Sequence, residues 1–363
     1  MSTPCWLSGL PFDCVSLEQA RAQIFDAIDR QRQLVFATPN VSFLAQAGRD
    51  DRFREDVLLT NLSLPDGMPI IWLGALMGIP FAGRVAGSDL LESLVSEPGP
   101  RTVRVFFFGG NPGAGEAAMH AVNRRGGGIQ AVGAIDPGFV SVAGMSDQAT
   151  IDAINLANAD FLVVALGSAK GHRWIEANRH RLNVPVISHL GAAINFIAGR
   201  LQRAPRFMQR TGLEWLWRIK EEPALFRRYA RDGWFLAQQF AGFILPELLA
   251  RALRGSPPSS LVARSDAGVL TVQASRLFGA REIKALQGSE WQRQLQAATA
   301  LRMQLVGVTQ LDAVGVGWLY AVRYRLAAGI PATVHCDRVS QNSLKRWRAD
   351  FLAAPSGGQT RHL

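Results

Sequence analysis

Three short turns carry side chains whose types and spacing suit one kind of chemistry. Thr38-Pro39-Asn40 closes an apolar run, Pro65-Asp66-Gly67-Met68-Pro69 holds a lone carboxylate, and Gly83-Arg84-Val85-Ala86-Gly87-Ser88-Asp89 holds a guanidinium. A carboxylate can accept a proton, a guanidinium can offset the charge of an anionic group, and a hydroxyl with an amide can position a polar substrate. Each turn also has an ordinary structural reading. Pro-Asp-Gly is a strong turn sequence, Thr38 and Asn40 read as caps of a helix starting at Val41, and an isolated loop arginine is usually solvated.

The elements around these turns give them a common address. A capping-box start, Ser16 with Gln19, opens a helix over 16–31. Apolar strand candidates recur at Leu34–Ala37, Leu58–Leu64, Val103–Phe108, Ile129–Ala134, Phe161–Leu166 and Val186–Leu190. Helix-length segments lie between them at 67–77, 88–95, 113–123, 147–158 and 170–179. Such alternation predicts an α/β fold with a Rossmann-like, mostly parallel sheet covered on both faces. Asn40 then stands at a strand's carboxyl end beside a helix N-terminus, where open α/β sheets bind ligands.

A second motif runs from Phe106 to Glu116: a strand, the turn Gly109-Gly110-Asn111-Pro112-Gly113, and a helix, an arrangement whose backbone N–H groups suit a phosphate. Gly113, Gly115 and Ala118 satisfy Gly-x-Gly-x-x-Ala, with Asp136 downstream at the distance of a ribose-binding acid, so a nicotinamide-dependent oxidoreductase is one reading. No Gly-Lys-Ser/Thr follows, which argues against a P-loop.

The 363 residues are 48% hydrophobic and 19% charged, which describes a folded chain with room for more than one domain. A net charge of +10 favours an anionic partner, whether nucleic acid, membrane or phosphorylated substrate. Cys5, Cys14 and Cys336 lack metal-ligand spacing and fit a reducing cytoplasm, and Met1–Leu10 does not read as a signal peptide. From Arg200 to Arg231 arginines alternate with Phe207, Trp215, Trp217, Phe226 and Tyr229, and 234–249 continues as an apolar helical stretch interrupted by Pro246, too short and too broken by Gln238 and Gln239 to span a membrane. A Gly-Ser-Pro-rich stretch follows as a linker, and beyond it a small α/β domain is expected, with strands at 270–272, 302–308 and 331–335, helices at 283–298 and 344–352, and a loop and helix over 311–328.

The spacing of the three turns resembles the WecG/TagA/CpsF family of bacterial glycosyltransferases. The likeness continues through the Gly-Gly-x-Pro-Gly turn, Lys170 and Trp174, and Gly212-Leu213-Glu214-Trp215, over roughly 34–229. The resemblance implies an inverting enzyme that moves a hexose-type sugar, of N-acetylhexosamine or uronic type, from a nucleoside-diphosphate donor of UDP-sugar kind to an undecaprenyl-diphosphate-linked saccharide. The product would feed exopolysaccharide, capsule or cell-envelope polymer synthesis. It implies Asp66 as general base and Arg84 on the diphosphate. Thr38, Asn40, Gly109, Gly110, Gly113 and Lys170 would bind substrate, with Arg218 and Arg228 completing the site over the donor phosphates. The family's Gln-Glu after the lysine is replaced here by Gly171-His172, and His172 is expected to serve as the polar partner instead.

No metal or cofactor is implied, and no Asp-x-Asp motif occurs. Residues 1–199 are expected to form the catalytic core, and 200–254 a basic aromatic appendage docking on an anionic membrane surface. Residues 255–260 form the linker. The segment 261–363 resembles a STAS domain, a site for a protein partner whose Leu311–Leu319 turn has Ala313 and Val314 where a phosphoacceptor would stand. The protein is thus expected on the inner face of the cytoplasmic membrane, with no nucleic-acid role. A non-catalytic scaffold binding sugar nucleotides is the remaining alternative.

Overall fold

The computed structural model describes residues 3–191, 193–253, 260–286, 289–325 and 330–353. Of the expected linker only Ser260 is among them. The chain divides into two compact units. One comprises Val15–Trp72 and Phe81–Gly233; the other comprises Met1–Cys14, Leu73–Pro80 and Trp234–Leu363.

The chain opens with a hairpin of β1 (Cys5–Leu7) and β2 (Leu10–Phe12). Then come β3 (Leu34–Ala37), β4 (Leu62–Ser63), β5 (Val103–Gly109), β6 (Ile129–Ile135), β7 (Phe161–Ala165) and β8 (Val186–His189), which form one parallel sheet in the order β4-β3-β8-β7-β5-β6. The chain leaves β3 toward β4 on one side and returns with β5 on the other, so the topological switch lies beside the carboxyl end of β3.

Strand alternation sorts the core into two layers. Phe36, Phe107 and Val163 face the helices Leu17–Asp29, Gly87–Ser96 and Ala114–Arg125, while Phe106, Phe108, Leu162 and Val164 face Ile151, Ile154, Trp174 and Ile175. The capping box of Ser16 and Gln19 is formed. The expected strand Leu58–Leu64 shrinks to β4, because Asp50 caps a helix Asp51–Leu58 whose Phe53 and Val57 are buried.

Past Gly199 the chain forms the helices Arg206–Arg210, Glu214–Glu221 and Phe226–Gln239, a π-helical turn Phe240–Ile244, and the helix Leu245–Leu253. Pro246 does not break this last run. A proline has no N–H for the carbonyl four residues earlier, and the chain meets that loss by widening into the π turn just before it.

In the second unit β9 (Ser260–Asp266) pairs antiparallel with β10 (Val269–Phe278), which is parallel to β11 (Ala300–Leu311), itself parallel to β12 (Ala332–Cys336). The helix expected over 283–298 is two helices, Ala280–Ala285 and Ser289–Ala297. Asp312 caps the helix Ala313–Tyr324 through Val314 N and Gly315 N, at 2.9 and 2.8 Å. The final helix is Arg338–Arg346 rather than 344–352, because Asp337 caps it at Ser340 N.

The first 14 residues, expected with the catalytic core, cluster with this unit instead. Cys5, Trp6, Leu7, Leu10 and Phe12 are apolar on both faces of the hairpin and need cover on both. Trp6 Nε1 donates to Trp347 O at 2.8 Å, Arg325 grips Asp13 with two bonds of 2.7 and 3.0 Å, and Gly317 comes so near Pro4 that a Cβ there would lie 1.9 Å from its carbonyl oxygen.

Candidate active site

Main-chain hydrogen bonds tie the three turns together. Beyond the β3–β4 ladder, Leu64 N donates to Ala37 O at 2.8 Å, Asp66 N to Pro39 O at 3.1 Å, and Val85 N to Pro65 O at 2.8 Å. Gly67, with φ of +92°, carries the chain through the turn in a left-handed conformation. At Gly87 a Cβ would stand 2.6 Å from Leu190 Cδ2 and 3.2 Å from Thr38 Oγ1, so only glycine lets the helix Gly87–Ser96 start against buried Thr38. Asn40 is a helix cap, its Oδ1 accepting from Phe43 N at 3.3 Å, and its Nδ2 makes no hydrogen bond among the described residues.

Arg84 is held on every side. Its Nη1 donates to Glu214 Oε2 at 3.1 Å, and its Nη2 donates to Asp89 Oδ2 at 2.6 Å and Gln209 Oε1 at 3.5 Å. Asp89 also accepts from Arg203 at 2.5 Å, and Arg203 reaches Ser88 Oγ at 3.2 Å. Two cations and two carboxylates thus form a neutral square beside Asp66. Asp66 itself is pushed up to about 7, mainly by burial; Arg84 and Arg203 oppose that rise, and the charges of Glu214 and Asp89 add to it. A carboxylate poised near neutrality can take and return a proton.

Arg218 lies next to this group. Its guanidinium sits over the Phe196 ring at 5.2 Å, as that of Arg203 does at 5.8 Å, and it pairs with Glu222 at 2.5 Å. Arg228 is not brought there: it is exposed, over the Tyr229 ring at 5.1 Å, with no ion pair to the cluster among the described residues. Arg203, Gln209 and Glu214 were not expected in the site. Arg203 and Glu214 belong to Arg203-Ala204-Pro205-Arg206 and Gly212-Leu213-Glu214-Trp215, stretches that follow the family pattern, whereas Gln209 lies between them and carries no signal of its own.

The glycine turn is built as expected. Gly109 and Gly110 have φ of +89° and +102°, Gly110 N donates to Ala165 O at 2.7 Å, and a Cβ on Gly109 would lie 2.9 Å from that oxygen. Gly113, with φ of +70°, precedes the helix Ala114–Arg125, and Arg200 Nη1 donates to Pro112 O at 3.0 Å, placing a cation on this turn. Asp136 is exposed and accepts from Gly138 N at 3.0 Å.

His172 departs from expectation. It is 2% exposed, edge-on to Phe43 and Phe53 and beside His189, with ring centroids 5.4 to 5.9 Å away. The helix Ser168–Asn178 turns Gly171, His172, Trp174, Ile175 and Asn178 inward, and burial with a second histidine nearby holds His172 neutral, far below the usual histidine range. It is a core histidine. Lys170 stays half-buried on the same first turn, without an ion pair among the described residues.

Gly171 explains the altered motif. A Cβ there would lie 2.2 Å from His189 Cδ2, and His189, at the end of β8, is bonded through Nε2 to Leu166 O. The His189 ring fills the space that a side chain at 171 would need.

A sequence model described as the Glycosyl transferase WecG/TagA/CpsF family matches residues 5–247. The chain is 32% identical over 201 residues to an N-acetylglucosaminyldiphosphoundecaprenol N-acetyl-beta-D-mannosaminyltransferase of Bacillus spizizenii, covering 54% of this chain and 73% of that one. Proteins of the same name from Bacillus subtilis and Staphylococcus aureus are 26% and 24% identical over 202 and 212 residues, covering 55% and 58% of this chain and 77% and 82% of theirs.

Proposed function

The chain belongs to the WecG/TagA/CpsF family of glycosyltransferases, and from that premise we propose that it moves an N-acetylhexosamine-type sugar from a nucleoside-diphosphate donor to an undecaprenyl-diphosphate-linked saccharide, with inversion. The relatives' name, an N-acetylmannosaminyl transfer to a lipid diphosphate-linked N-acetylglucosamine, supports this substrate class. The observation that carries the reading is Asp66, near-neutral in affinity for protons and beside Arg84. Asp66 takes the acceptor hydroxyl's proton as that oxygen attacks the anomeric carbon from the face opposite the leaving diphosphate. Arg84, Arg203 and Arg218 offset the charge that builds on that diphosphate. Thr38 and Asn40 Nδ2 orient the sugars, and the Gly109–Gly113 turn with Lys170 contributes N–H groups and a cation to the donor.

The nicotinamide reading gives way to the family assignment, and Asp136 is already engaged in its own turn. A panel of radiolabelled sugar nucleotides tested against lipid-linked acceptors decides the function. Transfer from one donor, with the inverted anomer in the product, is the expected result; no turnover with any donor overturns it.

Glu214→Gln tests the electrostatics of the site. Removing that negative charge lets Asp66 ionise more easily, so the acid limb of kcat/KM against pH moves to lower pH. An unmoved limb with a uniformly lowered rate means that Glu214 only shapes the fold.

We also infer a membrane-docking role for the basic aromatic segment. Among the described residues no helix is long and apolar enough to cross a membrane. Phe207, Trp215, Leu216 and Phe226 are nonetheless exposed, with Arg227, Arg228 and Arg231 also exposed after them. Arg203 is spoken for by Asp89, and the side chains of Arg206 and Arg210 lie outside the described residues. Each arginine near an anionic surface contributes about 1 kcal/mol. Arg227→Gln with Arg228→Gln therefore weakens binding to phosphatidylglycerol vesicles about thirtyfold in cosedimentation at low salt. Unchanged sedimentation removes the docking role from this segment. For 261–363 we propose a STAS-like partner-binding domain, supported by its mixed sheet and the Asp312-capped helix.

A further inference from the structure

Two of the three cysteines meet. Cys5 lies opposite Phe12 in the β1–β2 register, and Cys14, two residues further on, comes to the same side of the hairpin. Their sulfurs are 3.5 Å apart. Cys5 is 2% exposed, whereas Cys14 keeps part of its surface in solvent. Cys336 has no cysteine partner among the described residues.

We propose that Cys5 and Cys14 form a thiol–disulfide exchange site that takes a small-molecule disulfide from solution and leaves a Cys5–Cys14 bond closing the hairpin. Forming the bond brings the sulfurs from 3.5 Å to about 2.05 Å. Accessibility sets the order of events. The partly exposed Cys14 loses its proton and attacks one sulfur of the small disulfide, whose other sulfur departs as a thiolate. Cys5 then loses its proton and attacks the Cys14 sulfur, and the second small thiolate leaves. The two departing thiolates take up the two protons, so one small disulfide is reduced to two thiols and two protein thiols are oxidised to one disulfide.

The acidities agree with this order. The neighbouring Cys5 thiol stabilises a thiolate on Cys14 and lowers its pKa, while Cys14 and burial raise that of Cys5. Once Cys14 is in a mixed disulfide, its charge no longer opposes ionisation of Cys5. Cys336 is pushed up to about 12 by burial and Asp337, which leaves it a poor nucleophile.

The test uses the full native chain with oxidised glutathione as probe. The thiols titrated after denaturation should fall from three to one, with the intact mass down by two hydrogens and no glutathione retained. Cleavage between Phe12 and Asp13 should leave two pieces joined until a reductant is added. In Cys5→Ser, the glutathionyl group should stay on Cys14, because nothing displaces it. Separate pieces after cleavage, glutathione retained on Cys14 of the native chain, or reaction confined to Cys336 would each overturn the proposal.

Discussion

Asp66→Asn lowers turnover about 10²- to 10⁴-fold and leaves nucleoside-diphosphate binding nearly intact. The amide keeps the volume and the Asp66 N–Pro39 O bond, so the turn persists, but it cannot take the acceptor's proton. Two further measurements separate loss of a base from loss of fold. The native rate should follow an ionisation near 7, dropping about tenfold for each pH unit below it, because only the carboxylate form accepts a proton; the variant's residual rate should lack that limb. Stability should move the other way. A carboxyl whose folded pKa lies above its ordinary value of 3.8 holds its proton more tightly folded than unfolded, so stability drains as pH rises from about 4 to 7. The Asn variant escapes that loss: it should be more stable than the native chain at pH 8, with the gain disappearing near pH 4. Near-native turnover in Asp66→Asn removes Asp66 from catalysis.

Gly171→Gln, which restores the family's residue, should damage this protein. The new Cβ would enter the His189 ring, and moving that ring breaks its bond to Leu166 O just before the helix that carries Lys170. Overpacking of this kind costs about 1–3 kcal/mol, which thermal unfolding reads as a drop of several degrees. Turnover should fall with it, because the Leu166–Lys170 turn shifts. The decisive comparison is the double variant Gly171→Gln with His189→Ala. With the ring gone the glutamine has room, so the two changes together should cost less than their sum by about 0.5–3 kcal/mol. Strict additivity would mean that the His189 ring is not what excludes a side chain at position 171.

Much of the fold is legible in the sequence. β3 begins and ends where its apolar run does, the Ser16 cap and the Asn40 cap are formed, and β5 with its glycine turn leads into a helix as the spacing predicts. The expected strand at 58–64 and the single helix over 283–298 were misread because apolar runs of that length do not distinguish a strand from a helix end, or one helix from two. The amino-terminal hairpin is not legible for a different reason: its Trp6 ring packs on Tyr320 and Phe351 and donates to Trp347 O, and Asp13 pairs with Arg325, all more than 300 positions away.

The sequence by itself determined which chemistry was on offer, because turn type, helix caps and glycine positions follow from a few adjacent residues and those residues carry the carboxylate, the amide and the guanidinium. Tertiary structure decided what those groups can do. Arg84 meets Glu214 across 130 positions and Asp89 meets Arg203 across 114, so the charge around Asp66, and with it the pH at which that carboxylate holds a proton, is set by pairings no local pattern encodes. The same holds for His172, polar in the chain and buried in the fold, since the face it turns inward is chosen by Phe43, Phe53 and the His189 ring that Gly171 makes room for.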